Sequence, residues 1–391
     1  MSTIATTYTA LWVGGVREVD RETWDALAAP LDYPFLEWDW LDLVENGGGA
    51  DISSGWLPRH LTLWRGRRLV AAAPLYVKAH SEGEFVFDHP FADLASRLGV
   101  RYYPKLVGMS PFTPAAGYRF LLDPDEDEWE LCGRLSSEID RFCVEQGLGS
   151  ASFLFADPAW RLVMERLGWL PWLHQGFVWN NLGYASLEQF WERFRAGQRR
   201  NVRRDLAALA RQGVRVEVVD GREAPESMFD LMHACYVRTN DKFGPWGCRY
   251  LTREFFTGAA RVLRDRLAFS VALAPDAAEP AGMALLARKG SRLWGRYWGA
   301  ARSLPGLHFA VCYYAPMAYA VEQGLATFDP GMGGMHKVRR GFVSVPTASL
   351  HRFHQKALAV VFRTHLDNIN QAEMEHIREM NDMLPFSSAG E

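Results

Sequence analysis

Cysteine is scarce in this chain. The five residues, Cys132, Cys143, Cys235, Cys248 and Cys312, form no CxxC pair and are odd in number. That argues against a disulfide framework or a zinc site. His351 and His354 have the i, i+3 spacing of a helix face, but no third ligand accompanies them, so no metal is expected. No stretch approaches the ~18 charge-free apolar residues of a spanning helix. The start, Met1 to Gly15, has no basic segment followed by an apolar one, so no signal peptide is read there. No membrane insertion and a cytoplasmic location are expected. Excess positive charge is missing too. The net charge of −3 excludes a globally basic nucleic-acid binder, though not a local basic surface.

Apolar and aromatic residues are plentiful. They include 15 Trp and 23 Phe, ample for large cores, and 391 residues suggest two or three domains. A weak internal echo points to a duplicated unit. The first copy is His60–Trp64, a turn at Arg65–Arg68 and the apolar run Leu69–Tyr76. The second is Leu267–Ala274, a turn at Pro275–Glu279, then Pro280–Leu286 and Arg292–Trp298. Each reads as strand, polar turn and apolar strand, an antiparallel hairpin. Helical segments precede both: Arg21–Leu27 and Pro34–Glu45, then Ala224–Tyr236 and Thr252–Asp265. Helix, helix, meander, helix, strand is the order of a GNAT-type acyltransferase fold. The expectation is α+β: two tandem GNAT-like domains, each a mixed, mostly antiparallel sheet flanked by helices. They are placed at residues 1–180 and 181–391, the second including the Arg-rich helix 194–213 and a C-terminal helix over His354–Met383 that packs on the second unit.

Two segments carry chemistry. In Phe194–Gly213, Arg199, Arg200, Arg203, Arg204 and Arg211 share one arc of a 3.6-residue helix, while Val202, Leu206 and Leu209 line another. Only Asp205 offsets the arginines. Such a face can bind polyanion through planar Arg forks, or it can be a solvated face or pair with acidic neighbours. In Gly295–Phe342, Arg296-Tyr297-Trp298 ends a strand and Gly306 opens a helix of about four turns. Phe309, Tyr313, Met317 and Val321 fall on one face of it, and Thr327-Phe328-Asp329 is a short strand. A Gly-rich loop then ends in His336-Lys337-Val338-Arg339-Arg340. Helix amides, dipole and cations converge there, which suits phosphate, carboxylate or a developing oxyanion.

At these residues the chain resembles the FemAB-like family of GNAT-fold proteins of peptidoglycan biosynthesis or recognition. The likeness spans nearly the whole chain. It rests on Gly83–Asp88, Arg101–Leu106 and Pro111–Pro114, then on Arg199–Arg204 with Gln212-Gly213 and on Tyr250–Phe256. Gly295–Gly299, Leu307–Phe309, Cys312–Tyr314 and His336 to Phe342 complete it. The resemblance implies transfer of an amino acid from aminoacyl-tRNA, as co-substrate and with no cofactor, to the amine of a small molecule or peptidoglycan precursor. Three departures stand out. Family members read Glu where this chain has Ala310, Glu where it has Met335, and His near Val178. Mechanisms built on those glutamates do not carry over, and a non-catalytic ligand-binding member is an alternative. Acyl-CoA is the alternative donor, but Ala301–Leu307 puts Pro305 where a pyrophosphate loop wants free amides.

Lys337 is the first catalytic candidate, contacting the donor's 3′ end or the oxyanion, or else capping its loop. His336 is a general base or a loop hydrogen-bond partner. Asp88 holds the acceptor ammonium and takes its proton, or caps a turn. Arg199, Arg200, Arg203, Arg204, Arg339 and Arg340 are candidates for tRNA phosphates. His308, Tyr102, Tyr103, Lys105, Trp179, Trp298 and Tyr313 are candidates for the substrate cleft, with core packing the other reading for the aromatics.

Overall fold

In the computed structural model, which describes residues 8–244, 247–275 and 277–387, Pro74 divides what reads as one apolar strand. His60–Arg65 and Arg68–Ala73 form the expected hairpin, turning at Gly66 with its φ of +62°, but the run then leaves the ladder. Proline has no N–H for a central strand. Tyr76–Lys78 joins a different set of strands.

The chain separates into two units, Met1–His174 with Thr347–Glu373, and Gln175–Pro346 with Met374–Glu391. The first boundary lies six residues before the expected 180/181, inside the strand Leu170–Asn180. The segment 347–373 belongs to the first unit. The C-terminal helix, Lys356–Asp382, is thus divided: Leu358 packs with Ala95 and Tyr102 and Phe362 lies against Phe91 in the first unit, while Met380 packs in the core of the second as expected. His351 also sits in a strand, Val343–Phe353, so it and His354 do not share a helix face. Among the described residues no group of His, Cys, Asp and Glu is arranged to hold a metal ion. No helix among them is long and apolar enough to cross a membrane.

In the first unit, Tyr8–Val13, His60–Arg65, Arg68–Ala73 and Leu121–Leu122 make an antiparallel four-stranded sheet. A second set runs Trp56–Pro58, Tyr76–Lys78, Lys105–Gly108, Ser150–Phe153 and the end of Val343–Phe353. Helices start where sequence chemistry places them. Asp20 accepts from the Thr23 amide ahead of Arg21–Ala28, and Asp127 from the Glu130 amide ahead of Glu128–Glu145.

The second unit follows the expected order closely. Arg215–Asp220, Leu267–Leu273, Gly282–Lys289 and Arg292–Ala300 are successive antiparallel neighbours. Of the turn read at 275–279, Asp276 lies outside the described residues. Arg292–Trp294 then pairs in parallel with Thr327–Asp329 across a helical crossover. The parallel ladder stops after these three pairs, where Pro330 follows. Among the described residues no further pair of this ladder forms beyond Trp294, and an opening lies between the two strand ends. A bulge opposite Leu285 and Leu286 leaves Arg296 as the extra residue on its strand. Bulges re-aim side chains, and this one sits at the opening.

The crossover helix is not regular. Leu307–Phe309 and Ala315–Glu322 flank a π-helical segment, Ala310–Tyr314, in which the Ala315 amide donates to the Ala310 carbonyl. Pro316 has no N–H to continue the regular ladder, and the wide turn absorbs the loss. The turn also shifts the phase of the helix. Tyr313 and Val321, expected on one face, line different cavities.

Candidate functional site

The opening between the strands of the second unit is a cavity of about 270 Å³. Three elements supply its polar groups: Arg296 and Trp298 from the bulged strand, His308 and Tyr313 from the crossover helix, and His336 and Lys337 from the glycine loop. Gly334 makes the loop possible. It has φ of +100°, and a Cβ there would lie 2.2 Å from the His336 ring.

Lys337 is buried, 2% exposed, and its Nζ donates to the carbonyls of Gly331, at 2.7 Å, and Met332, at 2.5 Å. Both readings of this lysine therefore meet: it caps the loop and also lines the cavity. An ammonium has three N–H groups, so one remains. Burial pulls its pKa down to about 8, with Asp329 opposing and Arg296 adding to the fall. Arg296, which the sequence reading passed over, is buried in the same wall and paired with Asp329 at 2.9 Å. A lone cation in the apolar run Leu293–Trp298 was its signal.

His336 and Tyr313 form a pair, with 2.8 Å between Nε2 and the hydroxyl. Burial, then Lys337 and Arg340, lower the His336 pKa, while burial raises that of Tyr313. Both are thus neutral near pH 7, with the phenol able to donate to the imidazole. His308 packs edge-on to Trp298, ring centroids 4.6 Å apart, and burial drives its pKa down to about 4. The cavity accordingly carries two cations and two neutral imidazoles, with no carboxylate in its lining among the described residues.

The other candidates separate. Trp179 is 1% exposed in the core of the second unit, edge-on to Phe190, and lines no described cavity. Arg199 caps the backbone of Glu192 and Phe194. Arg340 is held by Asp205, Tyr314 and the His336 carbonyl, and lies over the Phe309 ring. These contacts commit the Arg340 guanidinium and one Nη of Arg199. Arg339 is exposed, with the Met335 sulfur 3.9 Å away. Arg200, Arg203 and Arg204 are exposed on the helix Ala196–Ala210 and make no ion pair or hydrogen bond among the described residues. Asp205, read as offsetting them, pairs instead with Arg340. This helix abuts the start of the crossover helix: a Cβ on Gly306, which has φ of +82°, would come 2.7 Å from the Asp205 carbonyl.

In the first unit, Asp88, Tyr102, Tyr103 and Lys105 do come together, but as a buried network around Lys105 in which Asp88 Oδ1 and Glu84 Oε1 are left without a hydrogen bond. Lys105 Nζ donates to Glu84 and Ser81, at 2.7 and 2.8 Å, and to Asp88. The Tyr102 hydroxyl donates to Asp88 at 2.7 Å, and Tyr103 shares a hydrogen bond with Ser81. Burial pushes the Asp88 carboxyl up, but the charge and hydrogen bond of Lys105 outweigh it and hold it below its usual range. Glu84, less well served, is pushed up to about 7 by burial. Lys78 lies 3.7 Å over the Trp56 ring, and burial lowers it to about 7. With its charge already met, Asp88 is not set to hold an acceptor ammonium. Glu84 and Lys78 were missed because charge alone does not reveal burial.

A sequence model of the FemAB-like family, described as peptidoglycan biosynthesis/recognition, matches residues 15–388. Among solved structures, FemX superposes with a TM-score of 0.52 at 11% identity, covering 88% of this chain and 98% of that one. The C-terminal domain of a putative lysylphosphatidylglycerol synthetase from Agrobacterium fabrum superposes with a TM-score of 0.51 at 12% identity, covering 90% and 97%. A tandem GNAT protein from the clavulanic acid biosynthesis pathway gives 0.44 at 10% identity, covering 89% and 98%. At these identities the likeness is one of fold: two tandem GNAT-like units of mixed sheet and helix. No curated protein sequence matches the chain.

Proposed function

The chain belongs to the FemAB-like family of peptidoglycan biosynthesis/recognition, and on that footing we propose that it is a transferase forming an amide bond. The amino acid comes from aminoacyl-tRNA and goes to the amine of a small molecule or peptidoglycan precursor. One observation carries this reading. The helix bearing the unpaired Arg200, Arg203 and Arg204 abuts the start of the helix that lends His308 and Tyr313 to the cationic cavity. A phosphate-binding face thus adjoins the cavity, where an ester at the end of the same polyanion can react.

The chemistry asked of the cavity is modest. The acceptor nitrogen attacks the ester carbonyl carbon, a C–N bond forms, and the carbonyl oxygen becomes an oxyanion. Lys337 and Arg296 are cations aimed at that charge in a low-dielectric wall. The acceptor attacks as its neutral amine, and its nitrogen, cationic once the C–N bond has formed, must lose a proton. The Tyr313 hydroxyl can accept it while passing its own to His336 Nε2. Collapse of the oxyanion breaks the C–O bond, and the tRNA ribose oxygen leaves, taking that proton. No carboxylate is needed, which reconciles the scheme with Ala310 and Met335.

The loop before the crossover helix favours this donor over acyl-CoA. The amides of Ala301 and Arg302 already donate to the Ala281 carbonyl, and Pro305 has none. Few remain to cradle a pyrophosphate. The test is a donor assay on purified protein with a mixed charged-tRNA pool or acyl-CoAs, and an amine panel read by mass spectrometry. RNase-sensitive appearance of an aminoacyl amide is expected. RNase-insensitive transfer from acyl-CoA would replace this reading with the other.

A further inference from the structure

The crossover helix borders a second cavity, of about 370 Å³, that shares no lining residue with the first. Small side chains make the space: Ala310, Ala315 and Ala318 on the helix. Leu206, Val216 and Val321 supply apolar wall. Among the described residues, Glu188 and Glu322 are the only charged side chains lining it. Both are exposed, so they stand at the solvent edge, and neither has an ion-pair or hydrogen-bond partner among the described residues. Trp191 also lines the cavity, and its indole Nε1 is buried without a partner.

We propose that this cavity binds a small primary amine with an apolar body, its ammonium at the acidic edge and its body against the aliphatic wall. The volume is that of a small-molecule pocket, apolar with few polar groups fixing orientation. Two carboxylates without a cation repel anions and attract an ammonium. The site is independent of the transfer chemistry assigned to the first cavity.

The probes are phenethylamine and 3-phenylpropionate, measured by calorimetry on the purified full chain at low salt. Phenethylamine should bind at least tenfold more tightly than phenylpropionate. The E188Q/E322Q variant, changed only at exposed positions, should keep its thermal unfolding and lose the preference for amines. Ala318→Leu should fill the space and abolish binding. Equal affinity for the anion, absence of amine binding, or a preference that survives in E188Q/E322Q would each overturn the proposal. So would undiminished binding in a folded Ala318→Leu protein, since the amine would then sit elsewhere.

Discussion

Each unit buries a lysine almost completely, Lys105 at 1% exposure and Lys337 at 2%, and the two are treated in opposite ways. Lys105 is ringed by two carboxylates and a serine. Burial alone would lower its pKa, but Glu84 and Asp88 outweigh it and raise it. Lys337 has only two carbonyls and a nearby carboxylate that is already paired with Arg296, so burial wins and its pKa falls to about 8. The first ammonium has its charge cancelled and serves the fold. The second faces a cavity with part of its hydrogen-bonding capacity uncommitted. A depressed pKa in a cavity marks a group poised for chemistry, whereas a neutralised one marks a structural pair. Under the proposed function the reacting centre lies beside Lys337, while Lys78 of the first unit, also buried and lowered to about 7, is stacked on the Trp56 ring.

Removing either cation should break the comparison, each through a different observable. Lys105→Met leaves two carboxylates buried against each other and should destabilise the protein by about 3–5 kcal/mol, read as a lowered midpoint of urea unfolding. Adding Asp88→Asn and Glu84→Gln to it should recover much of the loss, because the stranded charge is gone. Lys337→Met should instead keep most of the stability and lower transfer about 10²- to 10³-fold, the usual cost of one oxyanion donor. Unchanged transfer in a folded Lys337→Met protein would reduce that residue to a loop cap. The pH profile sharpens the point: transfer should fall above about pH 8 as Lys337 loses its charge.

The hairpins and the second unit's meander could be read from alternation and turn residues, because those signals are local. So could the glycine loop with Lys337, whose cations and glycines are adjacent in sequence. The Lys105 network could not. Its members were each visible, but Glu84 and Lys105 are 21 residues apart, and only the fold shows that they cancel. The π segment was hidden for a related reason. Pro316 signals trouble in a helix, but whether the chain breaks, kinks or widens depends on packing. Reading Tyr313 and Val321 as one face followed from assuming a regular turn.

The buried imidazoles extend the comparison to acid. His351, held between the hydroxyls of Ser152 and Ser349, and His174, on Ser349, are pushed down by burial to about 3 and about 4. Their unfolded values are higher, near 6.5, so the unfolded chain binds more protons in the interval between. Stability therefore rises with pH there and is lost as pH falls below about 6.5. Each such group adds a slope of up to about 1.4 kcal/mol per pH unit. Unfolding free energies measured from pH 6.5 to 4.5 should show a shallower slope in His351→Gln by about that amount. An identical slope would mean that His351 is protonated in the folded protein.

The smallest expected effect bears on the partner. Arg200, Arg203 and Arg204 have no internal role to lose, so replacing all three by Ala should leave the unfolding midpoint within about 0.5 kcal/mol of wild type. Arg340, tied to Asp205, makes the useful contrast, since its removal leaves a half-buried carboxylate. If the exposed trio contacts phosphate, the triple variant should bind tRNA about tenfold more weakly at low salt. The plot of log affinity against log salt should also flatten by about two to three. Weakened binding with an unchanged slope would point to a distorted site, not to lost phosphate contacts. Unchanged binding and slope together would remove this helix from tRNA recognition and leave the cavity chemistry to be tested with other donors.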